Sequence, residues 1–266
     1  MHHFQSVGIT GRDGEGVSES LKILTDFLIG RGLRVILSER VASLFFNQNL
    51  RVCSNDQLCD SCDLIIVVGG DGSLLGAARM LAKHAIPVLG INRGRLGFLT
   101  DIKPDEIEAS VTAVLNGDYS VEKRFLLDVL VMRDGEVVGQ GDALNDVVVN
   151  SGTSAKMIEF DVTIDHNFVY NQRADGLIVC TPTGSTAYSL SGGGPIMHPS
   201  LDAIGIVPMF PHTLSSRPIV VDGNSEIKIA IHKNNQIHPP VTCDGQVNLT
   251  AMPGDVVCIR KKPHKL

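Results

Sequence analysis

The stretch that decides the fold is DLIIVVGGDGSLLG, residues 63–76. Leu64 to Val68 form a short apolar run rich in β-branched side chains, the pattern of a strand buried on both faces. Gly69-Gly70-Asp71-Gly72 follows at once, and SLLGAARMLAKH (73–84) then carries the spacing of a helix. Glycines let a backbone turn tightly and approach a ligand closely. The first N–H groups of a helix lack partners and carry positive partial charge, so they suit a phosphate. Ligands of open α/β sheets bind at the carboxyl ends of strands. Asp71 therefore stands where a phosphate can lie and where a hydroxyl can attack it. An aspartate at this place also serves as an ordinary helix cap, and GGDG by itself does not decide between the two readings. No GxxxxGK[ST] occurs anywhere in the chain, which argues against a Walker-type nucleotide site.

On the N-terminal side, SVGIT (6–10) and RVILSE (34–39) read as strands flanking a helix over 17–32, with Leu21, Leu24 and Leu28 on one face. The stretch after residue 39 gives no clear pattern until the deciding strand. Beyond residue 84, IPVLGIN (86–92) is another strand, and Pro104 opens a helix over 105–117 with Gly117 as its stop. Strand–helix repetition predicts a Rossmann-like parallel α/β domain over residues 1–121. The texture then changes. FLLDVLVM (125–132) and EVVGQG (136–141) flank the hairpin signal Asp134-Gly135. Further strands are predicted at 146–150, 157–165, 168–172, 175–181, 217–221, 226–232 and 255–260, and only GSTAYSLS (184–191) reads as helix. Many short strands with frequent turns predict a β-sandwich-like domain over 122–266.

The 266 residues carry a formal net charge of −6, with 43% apolar and 20% charged side chains. The one dense basic run is Arg260-Lys261-Lys262, so no nucleic-acid partner is expected. MHHFQSVGIT lacks the build of a signal peptide, and no apolar run has the length of a membrane span. No membrane partner is expected, and a cytoplasmic location is. The six cysteines offer a single CxxC, Cys59 to Cys62, which precedes its strand and has no second ligand pair. They read as reduced structural thiols. No HExxH is present, and no metal site made by the protein alone is expected.

Three further segments carry polar side chains at strand ends. NRGRLGFLTD (92–101) is a second glycine-rich turn, and Arg93 and Arg95 in it read as surface residues. In LNDVVVN (144–150), Asn145 and Asp146 open a strand; an amide beside a carboxylate can read an adenine edge and hold ribose hydroxyls, or simply form a turn. RADGLIVCTPTGSTAYSLSGGGPI (173–196) leads from Asp175 through a strand into a polar wall of Thr186, Tyr188, Ser189 and Ser191. The GxSxG elbow of a serine hydrolase is absent, since residues 182–187 read PTGSTA.

Together and in this order, GGDG (69–72), GINRGRLGFLTD (90–101), Asn145-Asp146, DGLIVCTPTGSTAYSLSGGGPI (175–196), 199–221 and CDGQV (243–247) resemble the NAD kinase family in its bacterial branch. The resemblance spans roughly residues 6 to 260. It implies transfer of the terminal phosphate of ATP to the adenosine ribose 2′-hydroxyl of NAD, giving NADP. It implies that Asp71 is the catalytic proton acceptor, with Gly72 on the phosphate side. Asn145 and Asp146 would hold adenosine, Arg173 and Asp175 would join the dinucleotide pocket, perhaps across a subunit boundary, and Lys156 would contribute more weakly. Thr186, Ala187, Tyr188, Ser189, Leu190 and Ser191 would line the pocket, with Tyr188 toward nicotinamide, and Gln246 would reach in from the β domain. A homo-oligomer, dimer or tetramer, and Mg²⁺ carried with ATP are also implied. Two departures stand out: Asp146 where the family usually has glutamate, and an end at KKPHKL where related enzymes continue with an aromatic-containing tail. The competing readings are another GGDG kinase acting on a lipid or sugar hydroxyl, and a non-catalytic NADP(H) sensor.

Overall fold

Alternating apolar runs and amphipathic helices build the first part of the chain. In a computed structural model that describes residues 4–12, 16–45, 50–93, 97–100, 102–152, 156–213 and 215–266, the order is β1 (Ser6–Gly11), α1 (Val17–Gly30), β2 (Arg34–Ser38), α2 (Glu39–Ala42), β3 (Arg51–Cys53), α3 (Asn55–Ser61), β4 (Leu64–Gly69), α4 (Asp71–Leu81), β5 (Val88–Asn92) and, after a 3₁₀ turn at Pro104–Glu106, α5 (Ile107–Leu115). The strands form one parallel sheet, β3-β2-β1-β4-β5. Side chains of β4 alternate between its faces: Ile66 and Val68 pack with Leu21, Leu24 and Leu28 of α1 and Val111 of α5, while Ile65 and Val67 pack with Leu58 of α3 and Leu74 and Leu81 of α4. Helices thus cover both faces of the sheet. The strand order reverses between β1 and β4, so the Gly69-Gly70-Asp71 turn sits at the topological switch point.

The stretch after residue 39 holds α2, β3 and α3, which the sequence did not show. β3 has three residues, two of them exposed, too short for a period to register. The start of α3 did leave a signal, a capping box in which Ser54 N donates to Gln57 Oε1 at 3.3 Å.

The chain divides by contacts into one unit of Met1–Glu122 with Leu266 and another of Lys123–Lys265. The second holds β6 (Phe125–Arg133), β7 (Glu136–Ala143), β8 (Asp146–Asn150), β9 (Ile158–Ile164), β10 (Asn167–Ala174), β11 (Gly176–Cys180), a 3₁₀ turn at Thr183–Thr186, α6 (Tyr188–Ser191), β12 (Ala203–Met209), β13 (Ile219–Asp222), β14 (Ile227–Ile231), β15 (Pro240–Cys243), β16 (Val247–Thr250) and β17 (Val256–Lys265). Two six-stranded antiparallel sheets, β10-β9-β14-β17-β6-β7 and β13-β12-β11-β8-β15-β16, pack around one core. Val129, Phe160 and Ile229 of the first sheet meet Val147, Leu177 and Val241 of the second in that core. This is the sandwich-like arrangement that the alternating pattern predicts.

Asp134 and Gly135 both have positive φ, 50° and 87°, as a two-residue hairpin turn demands. Asp165-His166 makes the same turn without a glycine, at 48° and 67°. Three strands escaped the sequence reading. β12 contains Pro208, normally evidence against a strand; it lies beyond Ile206, the last residue paired with β13, where the strand has become an edge. β15 and β16 have only four residues each.

Candidate active site

The site is built in two places, one in each unit. In the first, β4 ends at Gly69, whose φ of 152° is a backbone that side chains rarely adopt. Gly70 is the N-cap of α4, and Asp71 is its first residue. The helix-cap reading of Asp71 does not hold, because no side-chain cap bond forms there. The carboxylate turns instead to the segment after β5. Oδ2 accepts from Phe98 N at 2.9 Å; Oδ1 accepts from Leu99 N at 3.1 Å, Thr100 N at 3.1 Å and Thr100 Oγ1 at 3.0 Å. Gly72 follows in the first turn of α4. Arg93 N donates to Gly69 O at 3.1 Å, and its guanidinium pairs with Glu19 at 3.4 Å, in keeping with its reading as a surface residue. Arg95 lies outside the described residues.

In the second unit a cleft of about 280 Å³ opens at the start of β8. Its floor is Asn145, Asp146, Val148 and Asn150; Ala187 and Tyr188 form one wall, and Thr242, Asp244 and Gly245 the other. The Pro182–Ala187 turn is folded onto β8 by backbone contacts. Thr181 N donates to Asn145 O at 2.9 Å, the Thr181 hydroxyl donates to Leu144 O, and Gly184 N donates to Thr181 Oγ1 at 3.1 Å. Any side chain at Gly184 would collide with the Asn145 backbone, so glycine is required by close approach. The predicted helix 184–191 is in fact two pieces, broken at Ala187 (φ −95°, ψ −130°). That break lets α6 start afresh at Tyr188, whose backbone hydrogen-bonds to the Asp146 carboxylate.

Asp244 closes the other side. Its carboxylate accepts from Leu144 N at 3.1 Å, Asn145 N at 2.7 Å and Asp146 N at 3.3 Å, and its own N–H donates to Asp146 O at 2.9 Å. Asp146 is 4% exposed. Burial, then the neighbouring Asp244 carboxylate, push its carboxyl up to about 7, against the opposing hydrogen bond from Tyr188. Asn145 Oδ1 is buried with no partner among the described residues. The cleft is therefore rich in acceptors. It suits hydroxyl and amino donors, as on a nucleoside, and its paired carboxylates disfavour a phosphate.

Of the residues predicted from sequence, Asn145, Asp146, Ala187 and Tyr188 meet in this cleft. Leu190 and Ser191 are exposed on α6 just beyond it, and Gln246 is exposed at the β15–β16 turn. The Thr186 hydroxyl bonds back to Thr183 O at 3.4 Å. Ser189 is fully buried and faces the Cys180 thiol and Gly194. Arg173 lies near the end of β10 and Asp175 between β10 and β11; neither lines the cleft, but Asp175 O accepts from Ser151 N at 2.9 Å, one residue beyond the cleft residue Asn150. Lys156 Nζ bonds Gln236 Oε1 at 2.6 Å on the surface. Val148, Asn150, Thr242, Asp244 and Gly245 were missed. For the last two a signal existed, the Asp-Gly turn inside CDGQV. All six cysteines are free thiols, and burial pushes Cys59 and Cys62 up to about 11, far from the profile of a reactive pair.

An aspartate at the switch point of a parallel sheet, without a Walker loop, on a chain that also carries a nucleoside-type cleft, defines a kinase of nucleotide-like alcohols. The ATP-NAD kinase N-terminal domain matches residues 7–119 and the ATP-NAD kinase C-terminal domain matches residues 144–266. The NAD kinase of Pseudomonas paraeruginosa strain PA7 is 61% identical over all of this chain and 90% of its own length; that of Pseudomonas putida strain W619 is 60% identical over the same shares. Among solved structures, yeast NADH kinase complexed with NADH superposes with a TM-score of 0.87 at 28% identity, over 97% of this chain and 78% of its own. An NAD kinase from Archaeoglobus fulgidus in complex with ATP gives 0.74 at 27% identity, over 98% and 92%. The chain belongs to the NAD kinase family, and its activity is the ATP-dependent phosphorylation of NAD to NADP.

Proposed function

We propose that the cleft at the start of β8 receives the adenosine part of NAD, and that Asp71 serves the transfer of phosphate to its ribose 2′-hydroxyl. The observation that carries this reading is the acceptor set: Asp146 and Asp244 side by side, with the Asn145 side-chain oxygen, which has no partner among the described residues, beside them. A ribose diol and an adenine amino group supply donors suited to the Asp146 carboxyl and the Asn145 side-chain oxygen. Tyr188, half-exposed on the cleft wall, gives an aromatic face for a ring to lie against. The yeast relative holds NADH and the archaeal relative holds ATP, the two kinds of reactant required here.

In the step itself the 2′-oxygen forms a bond to the γ-phosphorus while the bond to the β–γ bridging oxygen breaks and ADP leaves. Phosphoryl transfer passes through a loose transition state, so orientation of the hydroxyl matters more than removal of its proton. Asp71 holds the hydroxyl in line and accepts the proton as the new bond forms. The start of α4 at Gly72 carries the positive end of the helix dipole, which suits the phosphate. Among the described residues no cluster of three His, Cys, Asp or Glu forms a metal cage. A divalent cation would be carried in on the oxygens of the triphosphate. Such a cation neutralises phosphate charge.

Arg173 and Asp175, at the β10–β11 junction and outside the lining of this cleft, fit a role in the pocket of a neighbouring copy in a homo-oligomer. Among the described residues no helix is long and apolar enough to cross a membrane, and we place the enzyme in the cytoplasm with its substrates. The experiment that tests the reading is a coupled assay of NADP formation from NAD, ATP and Mg²⁺, run beside diacylglycerol as acceptor. NADP formation without lipid phosphorylation is the expected result. Phosphorylation of the lipid, or tight NADP binding with no turnover, would overturn it.

A further inference from the structure

We infer that Thr100 is a positioning residue for Asp71, and that it selects Oδ2 as the oxygen that meets the acceptor hydroxyl. The inference rests on the catalytic reading of Asp71 and extends it to a residue that touches no substrate. The two carboxylate oxygens are unequally served. Oδ1 takes three donors, Leu99 N, Thr100 N and Thr100 Oγ1, at 3.1, 3.1 and 3.0 Å. Oδ2 takes one among the described residues, Phe98 N at 2.9 Å. Three donors fill the acceptor capacity of Oδ1, whereas Oδ2 keeps a lone-pair direction for a further O–H. A hydroxyl approaching this carboxylate is therefore steered to Oδ2.

Thr100 is built for that task rather than for solvent. It is fully buried, and its methyl lies over Gly90 in β5 so closely that a Cβ there would sit 2.8 Å from it. With the methyl fixed against the sheet, the hydroxyl has one place to point, and it points at Asp71. The segment is anchored on both sides of this contact. Asn92 N donates to Ile102 O at 2.8 Å, and Ile102 bridges to Ile91 as a parallel partner. At the other end Gly97 passes so near the carboxylate that any side chain would collide with it. Gly90, Gly97 and Thr100 thus form a receptor in which the carboxylate has one orientation. Pre-setting that orientation removes a rotamer search from the reactive complex.

The experiment measures kcat and KM for NADP formation with NAD, ATP and Mg²⁺ in Thr100→Val, Thr100→Ser, Asp71→Asn and the Thr100→Val/Asp71→Asn double variant, each with its thermal midpoint. Valine keeps the shape and removes one hydrogen bond to a charged group. The expected result is a kcat lower by roughly 10- to 100-fold. Both KM values should stay within about 2-fold, and serine should recover most of the loss because it keeps the donor. In the Asp71→Asn background the valine change should add nothing, since its effect passes through residue 71. Should the valine variant not fold, Thr100→Ala carries the same comparison. Wild-type kcat in Thr100→Val, no recovery by serine, or the same fold-loss with and without Asp71 would overturn the inference while leaving Asp71 in place. Near wild-type kcat in Asp71→Asn would instead overturn the reading beneath it.

Discussion

Two aspartates stand at strand ends in this molecule and live in opposite surroundings. Asp71, in the parallel unit, is met by four hydrogen-bond donors from Phe98–Thr100. Asp146, in the β unit, is buried, has the carboxylate of Asp244 as neighbour, and is offset by a hydrogen bond from the backbone of Tyr188. The first carboxylate is fixed in direction by the protein before any ligand arrives. The second is raised by burial and by the Asp244 carboxylate, and on the proposed reading a ligand that brings hydroxyls would offset that cost. On the proposed reading, positioning for chemistry and affinity for substrate fall to different halves of the sequence, by two different uses of the same side chain.

The largest effect expected from this contrast is on rate. Asp71→Asn should lower kcat for NADP formation by roughly 10²- to 10⁴-fold, the usual worth of a positioned acid–base group, with the thermal midpoint nearly unchanged. Turnover close to wild type would erase the distinction between the two aspartates. Next comes affinity. Asp146→Ala should weaken NAD binding by roughly 10- to 100-fold, as for loss of a charge-assisted hydrogen bond, and leave ATP binding within a few-fold. Calorimetric titration with each nucleotide separates these, and equal losses would count against the assignment of the cleft.

The third effect concerns stability and has a sign that depends on pH. A free aspartate carboxyl titrates near 3.8, and burial with the Asp244 carboxylate raises that of Asp146 to about 7 in the folded chain. Between those pH values the folded protein keeps a proton that the unfolded chain has lost, so stability falls as pH rises, and the full cost is present above 7. Asparagine carries no such charge. Asp146→Asn should match wild type near pH 4 and exceed it by about 4 kcal/mol at pH 8, read from urea midpoints. An advantage that did not grow with pH would show that Asp146 carries no electrostatic burden. The smallest effect distinguishes neighbours within one turn. Tyr188→Ala should reduce NAD affinity several-fold, whereas Ser189→Ala, whose hydroxyl has no oxygen or nitrogen partner among the described residues and faces the Cys180 sulfur, should change it less than about 2-fold. Comparable losses would place Ser189 at the ligand after all.

What sequence alone revealed follows the range of the interactions involved. The β4–GGDG–α4 junction was legible because an apolar run, four residues of turn and a helical period are all local signals. The β6–β7 hairpin was legible for the same reason, through Asp134-Gly135. β3, β15 and β16 were hidden by their length, and β12 by Pro208, whose place on a local edge depends on where β13 stops. The break of 184–191 at Ala187 follows from packing against β8 and not from propensity. Within the site, the Asn145-Asp146 pair and Tyr188 were named through a family resemblance. The partners that give them their chemistry were not. Asp244 reaches Asn145 across 99 residues, and Phe98 to Thr100 reach Asp71 across 27 to 29, distances over which no periodicity links donor to acceptor.

The central claim, that Asp71 handles the hydroxyl of a nucleotide whose adenosine rests on Asp146, is tested most directly by a crystal structure of the enzyme with NAD bound. The account predicts the ribose 2′-oxygen within about 2.6–3.2 Å of an Asp71 carboxylate oxygen, Oδ2 in particular, with adenosine against Asn145 and Asp146. A dinucleotide seated elsewhere, or one whose 2′-oxygen points away from Asp71, would contradict it.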